Sequence, residues 1–130
     1  MKVLLDTHVL LWWMRDDARL GKRARSLIED PENQILVSAA TIWEIAIKKG
    51  RGLIEIDVEK LIAEMDASGL DLVPIHAAEA SRLETLPEHH RDPFDRMLIC
   101  QAIAAGAVLL TADDRLFLYQ ALDGLALVRV

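Results

Sequence analysis

The chain has 130 residues, a formal net charge of −6 and 52% apolar side chains. This length suits a single domain spanning residues 1–130, and the apolar fraction excludes a disordered chain. No apolar run approaches the ~20 residues of a membrane-spanning helix, and Lys2 and Asp6 leave the N-terminus without a secretory pattern. Because Cys100 is the single cysteine and lies in an apolar stretch, we expect a core thiol, no disulfide and a cytoplasmic protein.

In chain order, short apolar strands alternate with helices. The predicted elements are strand 3–5, helices 8–14 and 20–29, strand 35–37, a helix from the N-cap Ser38 to 49, helix 58–67, strand 70–73, helices 76–85 and 93–105, strand 107–110, helix 113–119 and strand 125–128. This alternation predicts an α/β fold in which helices cover both faces of a parallel sheet.

Charge is unevenly distributed along the chain. Residues 1–51 carry 9 basic and 7 acidic side chains, a net of +2, whereas residues 52–130 carry 6 and 14, a net of −8. The overall negative charge argues against a general nucleic-acid binder, yet the basic clusters could hold phosphates beside an acidic pocket. Solvated helix faces are the more ordinary explanation of each cluster. Their members are Arg15, Arg19, Lys22, Arg23 and Arg25, and Lys48, Lys49 and Arg51.

Three polar residues, Asp6, Ser38 and Thr111, directly follow predicted strands. In a parallel sheet they would line the carboxyl edge, where open α/β folds place their chemistry. Asp6 is the most informative of them, because it delivers a carboxylate from a buried strand. As an alternative, Asp6 is simply the N-cap of the helix that follows.

Three further acids are candidates for the same edge. Glu44 lies among apolar helical residues and would otherwise form an ion pair with Lys48 at i,i+4. Asp95 precedes an apolar run, so a carboxylate there needs a cation or a donor. Asp113 follows Thr111, and we favour it over the adjacent Asp114 as the acid that faces the site. Four carboxylates aimed at one point require a cation, which predicts Mg²⁺, with Mn²⁺ as the alternative.

Other residues are assigned more ordinary roles. Asp92 precedes Pro93 and is expected to be the N-cap of the following helix. The histidines at 76, 89 and 90 lack zinc-like spacing and are expected on the surface or in loops. We expect the tryptophans at 12, 13 and 43 to lie in the core or an interface, and not to stack on bases.

Four segments, in one order and together spanning almost the whole chain, carry a resemblance to a known family. They are LLDTHVLLWW (4–13), VSAATIWEIAIKKGRG (37–52), HHRDPFDRMLICQA (89–102) and LLTADDRLFLY (109–119). The chain resembles the PIN-domain ribonucleases, and among them the VapC-type toxins of bacterial toxin–antitoxin pairs. The resemblance implies a three-layer α/β/α fold with a short central parallel sheet.

The resemblance also implies roles for individual residues. Catalytic acids would be Asp6, Glu44, Asp95 and Asp113, and all but Glu44 would hold Mg²⁺ for hydrolysis of RNA by a metal-activated water. The hydroxyl side chains of Thr7, Ser38 and Thr111 would lie around the site and support it. Asp92 would cap its helix and could support the metal-binding acids without binding the ion itself. Flanking phosphates of RNA would meet basic side chains, for which the candidates are Arg15, Arg19, Lys22, Arg23 and Arg96.

By the same resemblance, the partner is a VapB-type antitoxin, and the apolar pair Trp12-Trp13 is consistent with a homodimer surface. The alternative function is an inactive PIN-type module that only binds RNA or protein. Aspartate phosphatases of the haloacid-dehalogenase type also begin with a strand and an Asp. They would place a second Asp two residues after Asp6, where His8 stands.

Overall fold

The computed structural model describes all residues from 1 to 130 as a five-stranded parallel sheet with helices on both faces. The strands are β1 (Lys2–Leu5), β2 (Gln34–Ser38), β3 (Asp71–Val73), β4 (Val108–Thr111) and β5 (Ala126–Arg129). Their order in the sheet is β3-β2-β1-β4-β5, so β1 is central and the chain reverses direction of winding beside it. In register, Leu4 lies opposite Leu36 of β2 and Leu109 of β4. The predicted α/β fold with a short central parallel sheet is confirmed.

Six α-helices connect the strands. They are α1 (Thr7–Met14), α2 (Lys22–Glu29), α3 (Ala39–Gly50), α4 (Val58–Ala67), α5 (Ala77–Ser81) and α6 (Pro93–Ala105). Short 3-10 helices span Ala18–Leu20, Arg82–Glu84 and Asp114–Tyr119. None of these helices combines the length and apolarity that crossing a bilayer demands.

The side chains of the central strands divide the core into two layers. Val3 and Leu5 of β1 point into a cluster with residues of α1, α2, α3 and α4, whereas Leu4 between them points into a cluster with α6 and the 3-10 helix 114–119. This alternation is the period of two that a β-strand imposes. Cys100 is a buried core residue, as predicted. The result is a three-layer α/β/α arrangement.

Three predicted helices differ from the structure. The prediction of one helix over 20–29 is wrong at its start. Gly21 has a φ of 72° and separates the 3-10 helix Ala18–Leu20 from α2. Helix 76–85 tightens into a 3-10 helix after Ser81. Segment 113–119 is a 3-10 helix from Asp114 onward, which puts Leu116 and Tyr119, three residues apart, on one buried face.

The tryptophans also divide. Trp12 and Trp13 are half-buried and pack against the first core cluster, in line with the prediction. Trp43 is 59% exposed, so the prediction that it lies in the core is wrong, whereas a place in an interface stays a prediction. The expectation rested on its apolar neighbours in sequence. On α3 the buried face is carried by Ala40, Thr41, Glu44 and Ile45, and position 43 lies off that face.

Candidate active site

Asp6 lies at the carboxyl end of β1 and is almost completely buried. One carboxylate oxygen accepts from the backbone N–H of Thr7 at 2.6 Å, and the other accepts from the Thr111 hydroxyl at 2.6 Å. Burial raises the pKa of Asp6, while the hydrogen bonds from Thr111 and Thr7 lower it. Asp6 is therefore the N-cap of α1, which was the alternative role considered for it. It is also a buried carboxylate that makes no ion pair within the chain.

Glu44, on α3, is buried and shares Thr7 with Asp6. Its Oε1 accepts from the Thr7 hydroxyl at 2.8 Å, and its Oε2 accepts from Lys48 Nζ at 2.8 Å. The i,i+4 ion pair with Lys48 is thus present. Because Thr7 bridges Asp6 and Glu44, the two acids and the hydroxyl form one buried polar group at the sheet edge.

Asp95, on the first turn of α6, is a further buried acid of the site. Desolvation raises its pKa to about 8, and the negative charges of Asp6, Asp92, Asp113 and Glu44 add to the effect. Its Oδ2 lies 3.3 Å from His90 Nε2. Burial also lowers the pKa of His90, as does the nearby Arg115. Both shifts favour a neutral hydrogen bond over an ion pair between His90 and Asp95 at neutral pH.

Two neighbours of Asp95 differ in what their side chains do. Asp92 caps α6 and accepts from the N–H groups of Phe94 and Asp95 at 2.9 and 3.2 Å. Asp113 caps the 3-10 helix 114–119 and forms a 2.7 Å ion pair with Arg115. Its pKa is lowered, chiefly by that hydrogen bond. Asp114, by contrast, is 86% exposed and pairs with Arg129.

Ser38 lies at the same edge, at the end of β2. Its hydroxyl donates to Gln101 Oε1 at 2.5 Å and accepts from the N–H of Ala40, so it caps α3. Gln101 in turn donates to the Pro74 carbonyl. Ser38 therefore fixes α6 against the ends of β2 and β3, and its hydroxyl is used in this contact.

The acids stand in two groups and do not close around one point. Asp6 and Glu44 are joined by Thr7, whereas Asp95 and Asp113 are joined by Arg115, whose guanidinium lies 3.5 Å from Asp95. As the side chains stand, no three His, Cys, Asp or Glu residues form a ready metal cluster. The groups are still coupled electrostatically, because Asp6 and Glu44 both raise the pKa of Asp95. Glu44 and Asp113 each have a basic partner, Lys48 and Arg115, whereas Asp6 makes no ion pair within the chain.

Comparison with known proteins decides the family. A family model described as PIN domain matches residues 3–121. The chain is also 32% identical over 116 residues to Ribonuclease VapC22 of Mycobacterium tuberculosis, a match that covers 88% of each chain. This chain is a PIN-domain protein of the VapC type. The predicted family membership is confirmed.

Solved structures with the same PIN fold include toxin–antitoxin complexes. One is VapBC2 from Rickettsia felis bound to a DNA fragment from their promoter, with a TM-score of 0.72, 17% identity and coverage of 100% of this chain and 99% of that one. Another is VapBC-1 from nontypeable Haemophilus influenzae, with a TM-score of 0.69, 20% identity and coverage of 99% and 98%. At these identities the likeness concerns the fold.

Three residues of this PIN domain were given no role in the site from the sequence: His90, Arg115 and Tyr119. Arg115 follows Asp113 by two positions, and the same D-x-R spacing occurs at Asp17, which accepts from Arg19 and pairs with it. That spacing was a usable signal for the pairing. The contact with Asp95 was not readable, because it joins segments 20 residues apart.

The basic residues considered for RNA contact have different surroundings in the PIN domain. Arg96 donates to the carbonyls of Leu86 and Pro87 and to the Tyr119 hydroxyl, so its guanidinium is engaged within the protein. Arg19 pairs with Asp17 and lies 4.9 Å over the ring of Trp12. The side chains of Arg15, Lys22 and Arg23 are exposed and make no ion pair within the chain.

Tyr119→Phe should lower the free energy of unfolding by ~1–3 kcal/mol, the cost of leaving buried donors unpaired. Tyr119 is fully buried, and its hydroxyl lies 2.9 Å from both Arg96 Nη1 and His90 Nδ1. Urea unfolding measures the change. Ser81→Ala removes an exposed hydroxyl and should change stability by less than ~0.5 kcal/mol. Equal effects of the two substitutions would contradict the role given to Tyr119.

Proposed function

We propose that this PIN domain is a metal-dependent endoribonuclease and the toxin of a toxin–antitoxin pair. The observation that carries the proposal is the coupling of buried Asp6, Glu44 and Asp95 at one sheet edge, where burial raises the pKa of Asp6 and Asp95. Such shifts are typical of functional sites. The 32% identity to Ribonuclease VapC22 over 88% of both chains supports RNA as the substrate.

The donor set fits Mg²⁺, with Mn²⁺ as a second candidate. The oxygens come from carboxylates, which are the ligands that hard divalent cations prefer. Asp6, Asp95 and Asp113 would hold the ion. Burial first, and the neighbouring acids second, raise the pKa of Asp95, and a bound cation would offset both effects by stabilising its ionised form. A bound ion supplies positive charge for the phosphate and lowers the pKa of water for attack.

The other residues of the site would hold its acids in position. Thr7 and Thr111 donate to Glu44 and Asp6, which restricts the carboxylates to one orientation each. Lys48 donates to Oε2 of Glu44 and holds that carboxylate in place, and Glu44 would orient the attacking water or bind the ion through water. Ser38 holds α6 in place through its hydrogen bond to Gln101. Asp92 caps the same helix, and its negative charge contributes to the raised pKa of Asp95.

Arg15, Lys22 and Arg23 remain proposed contacts for flanking phosphates of RNA. Arg15 is the C-cap of the eight-residue helix α1 and Asp6 is its N-cap, so ~13.5 Å of helix axis separates the two residues. That distance suits phosphates a few nucleotides from the cut. Arg19 is a weaker candidate because Asp17 already holds it, and Arg96 is not carried forward, since its donors are used by carbonyls.

The proposed partners are a VapB-type antitoxin and a second copy of this chain, in the cytoplasm. Support for the antitoxin comes from fold neighbours that are VapBC complexes. For the homodimer, Trp12 and Trp13 offer partly exposed apolar surface. Gel filtration with and without the partner tests both, and a monomer at all concentrations would contradict the homodimer.

RNA cleavage by the purified chain tests the proposed function. We expect single-stranded RNA to be cut in Mg²⁺ and left intact in EDTA, with 5′-phosphate and 3′-hydroxyl ends on the products. A PIN-type module that only binds would retain the RNA uncut at every Mg²⁺ concentration. Sequencing of RNA ends after brief induction would then identify the target in cells.

Arg115→Gln should tighten Mg²⁺ binding about 2- to 5-fold, the range expected from removing one exposed ion pair. The Arg115 guanidinium competes for the oxygens of Asp95 and Asp113, and it is 56% exposed. Calorimetric titration measures the affinity. Arg19→Gln is the matched control, because Arg19 makes the same D-x-R contact with Asp17 away from these acids. Unchanged or weaker Mg²⁺ binding by Arg115→Gln would show that Arg115 is no competitor.

A further inference from the structure

The side chain of Trp43 is exposed and forms no part of the hydrophobic core. Its side chain is 59% exposed, and it belongs to neither of the two apolar clusters that flank the sheet. Single exposed apolar side chains are ordinary on protein surfaces. Trp43 differs from the others in having an aromatic partner on another helix.

That partner is Phe94, the second residue of α6. The two ring centroids lie 5.1 Å apart at an interplanar angle of 85°, an edge-to-face contact. Phe94 is half-buried and, like Trp43, belongs to neither core cluster. No other exposed large apolar side chain comes from α3 or α6, so the two rings form a small patch and not an apolar stripe along their helices.

The two rings belong to residues that directly precede acids of the site. Trp43 precedes Glu44 on α3, and Phe94 precedes Asp95 on α6, so each ring is carried by a residue whose Cα lies ~3.8 Å from the Cα of an acid. Successive side chains of a helix point ~100° apart, so the acids face inward and Trp43 faces outward. The acids are buried beneath the surface, whereas the rings lie at or near it. A chain whose phosphate reaches the acids would bring its neighbouring base close to the rings.

We propose that Trp43, whose ring Phe94 holds in an edge-to-face contact, is a stacking platform for an unpaired RNA base next to the phosphate that is cut. The inference rests on the proposed ribonuclease function and names the side chains that would hold a base beside the cut. Aromatic rings accept any base because every base has a flat face, and unpaired bases are the form in which RNA offers that face. The small size of the patch favours one base over a protein segment, which needs a larger apolar surface.

Binding of a short unstructured RNA by variants in an Asp6→Asn background tests the platform. We expect Trp43→Leu to weaken binding about 5- to 100-fold, the range for loss of one stacked base, whereas Trp43→Tyr stays close to the parent. Phe94→Leu should weaken binding as well. Leu53→Ala is the control, because Leu53 is also a strongly exposed apolar residue but lies beyond the end of α3.

Indole fluorescence separates stacking from general loss of affinity. Subtracting the spectrum of Trp43→Leu isolates Trp43 from Trp12 and Trp13, and single-stranded RNA should quench its emission while the same sequence as a duplex should not. Equal RNA binding by Trp43→Leu and parent overturns the platform. So does a loss of antitoxin binding with RNA binding intact, which would make the rings a protein contact.

The two proposals fail separately. If the protein with Asp6 intact cuts RNA and Trp43→Leu binds and cuts equally well, the platform is wrong and the ribonuclease stands. If the same protein leaves RNA uncut in Mg²⁺ but binds it through Trp43, the platform is retained on a binding module and the ribonuclease is wrong.

Discussion

Asp6→Asn and Asp95→Asn should each reduce Mg²⁺-dependent RNA cleavage at least ~100-fold, as for loss of a group that stabilises developing charge. Asn keeps the size of the side chain and removes the negative charge that would hold the ion. The fold should survive at position 6, because Asn can still accept from the Thr7 N–H, and the Thr111 hydroxyl can turn to accept from the new amide. The measurement is the single-turnover rate on single-stranded RNA, with circular dichroism to verify the fold.

Asp114→Asn is the matched control for these two variants. Asp114 is adjacent in sequence to Asp113 but is 86% exposed and pairs with Arg129. Its substitution should leave the cleavage rate near that of the parent. Cleavage at the parent rate by a folded Asp6→Asn or Asp95→Asn protein would remove that acid from the site.

Asp95→Asn should also stabilise the metal-free protein, and increasingly so as the pH rises. The pKa of Asp95 is about 8 in the folded protein against 3.8 for the free side chain. Between these values the folded state holds a proton that the unfolded state has released. The free energy of unfolding of the parent therefore falls as pH increases from about 4 to about 8. The amide that replaces this carboxyl does not titrate, so the variant does not undergo this pH-dependent decrease in the free energy of unfolding.

The size of the effect follows from the linkage between proton binding and folding. One pKa unit corresponds to ~1.36 kcal/mol, so between pH 5 and pH 8 the variant should gain ~2–4 kcal/mol over the parent. Urea unfolding in EDTA at both pH values measures this gain, and Asp114→Asn should follow the parent. Parallel pH profiles for Asp95→Asn and the parent would mean that Asp95 is ionised in the folded state without help from a cation.

Most of the fold was readable from local patterns. The apolar runs at 3–5 and 107–110 predicted buried parallel strands, and Asp92-Pro93 predicted the start of α6. The main errors lie at Gly21 and at 114–119. The positive φ of Gly21 divides a segment that reads as one helix, and residues 114–119 form a 3-10 helix in which Leu116 and Tyr119 are buried.

The candidate site was readable in part. The order of strands and polar residues placed Asp6, Ser38 and Thr111 at one edge, and the structure has all three there. The sequence did not reveal that Ser38 is held by Gln101 or that His90 reaches Asp95, since such contacts depend on how α6 packs. It also placed Trp43 with the apolar residues around it, although that side chain faces solvent.

By itself, the sequence determined the family and the parallel sheet and proposed which acids form the site, because periodicity and short motifs act over a few neighbouring residues. Tertiary structure alone decided which charged side chains lie close enough to those acids to shift their pKa values. Asp95 owes its raised pKa to burial and to Asp6, Glu44 and Asp113 from distant segments, while Arg115 joins two of the acids and Thr7 joins another two. Desolvation and Coulomb interactions depend on distances through space, and those exist only once the chain has folded.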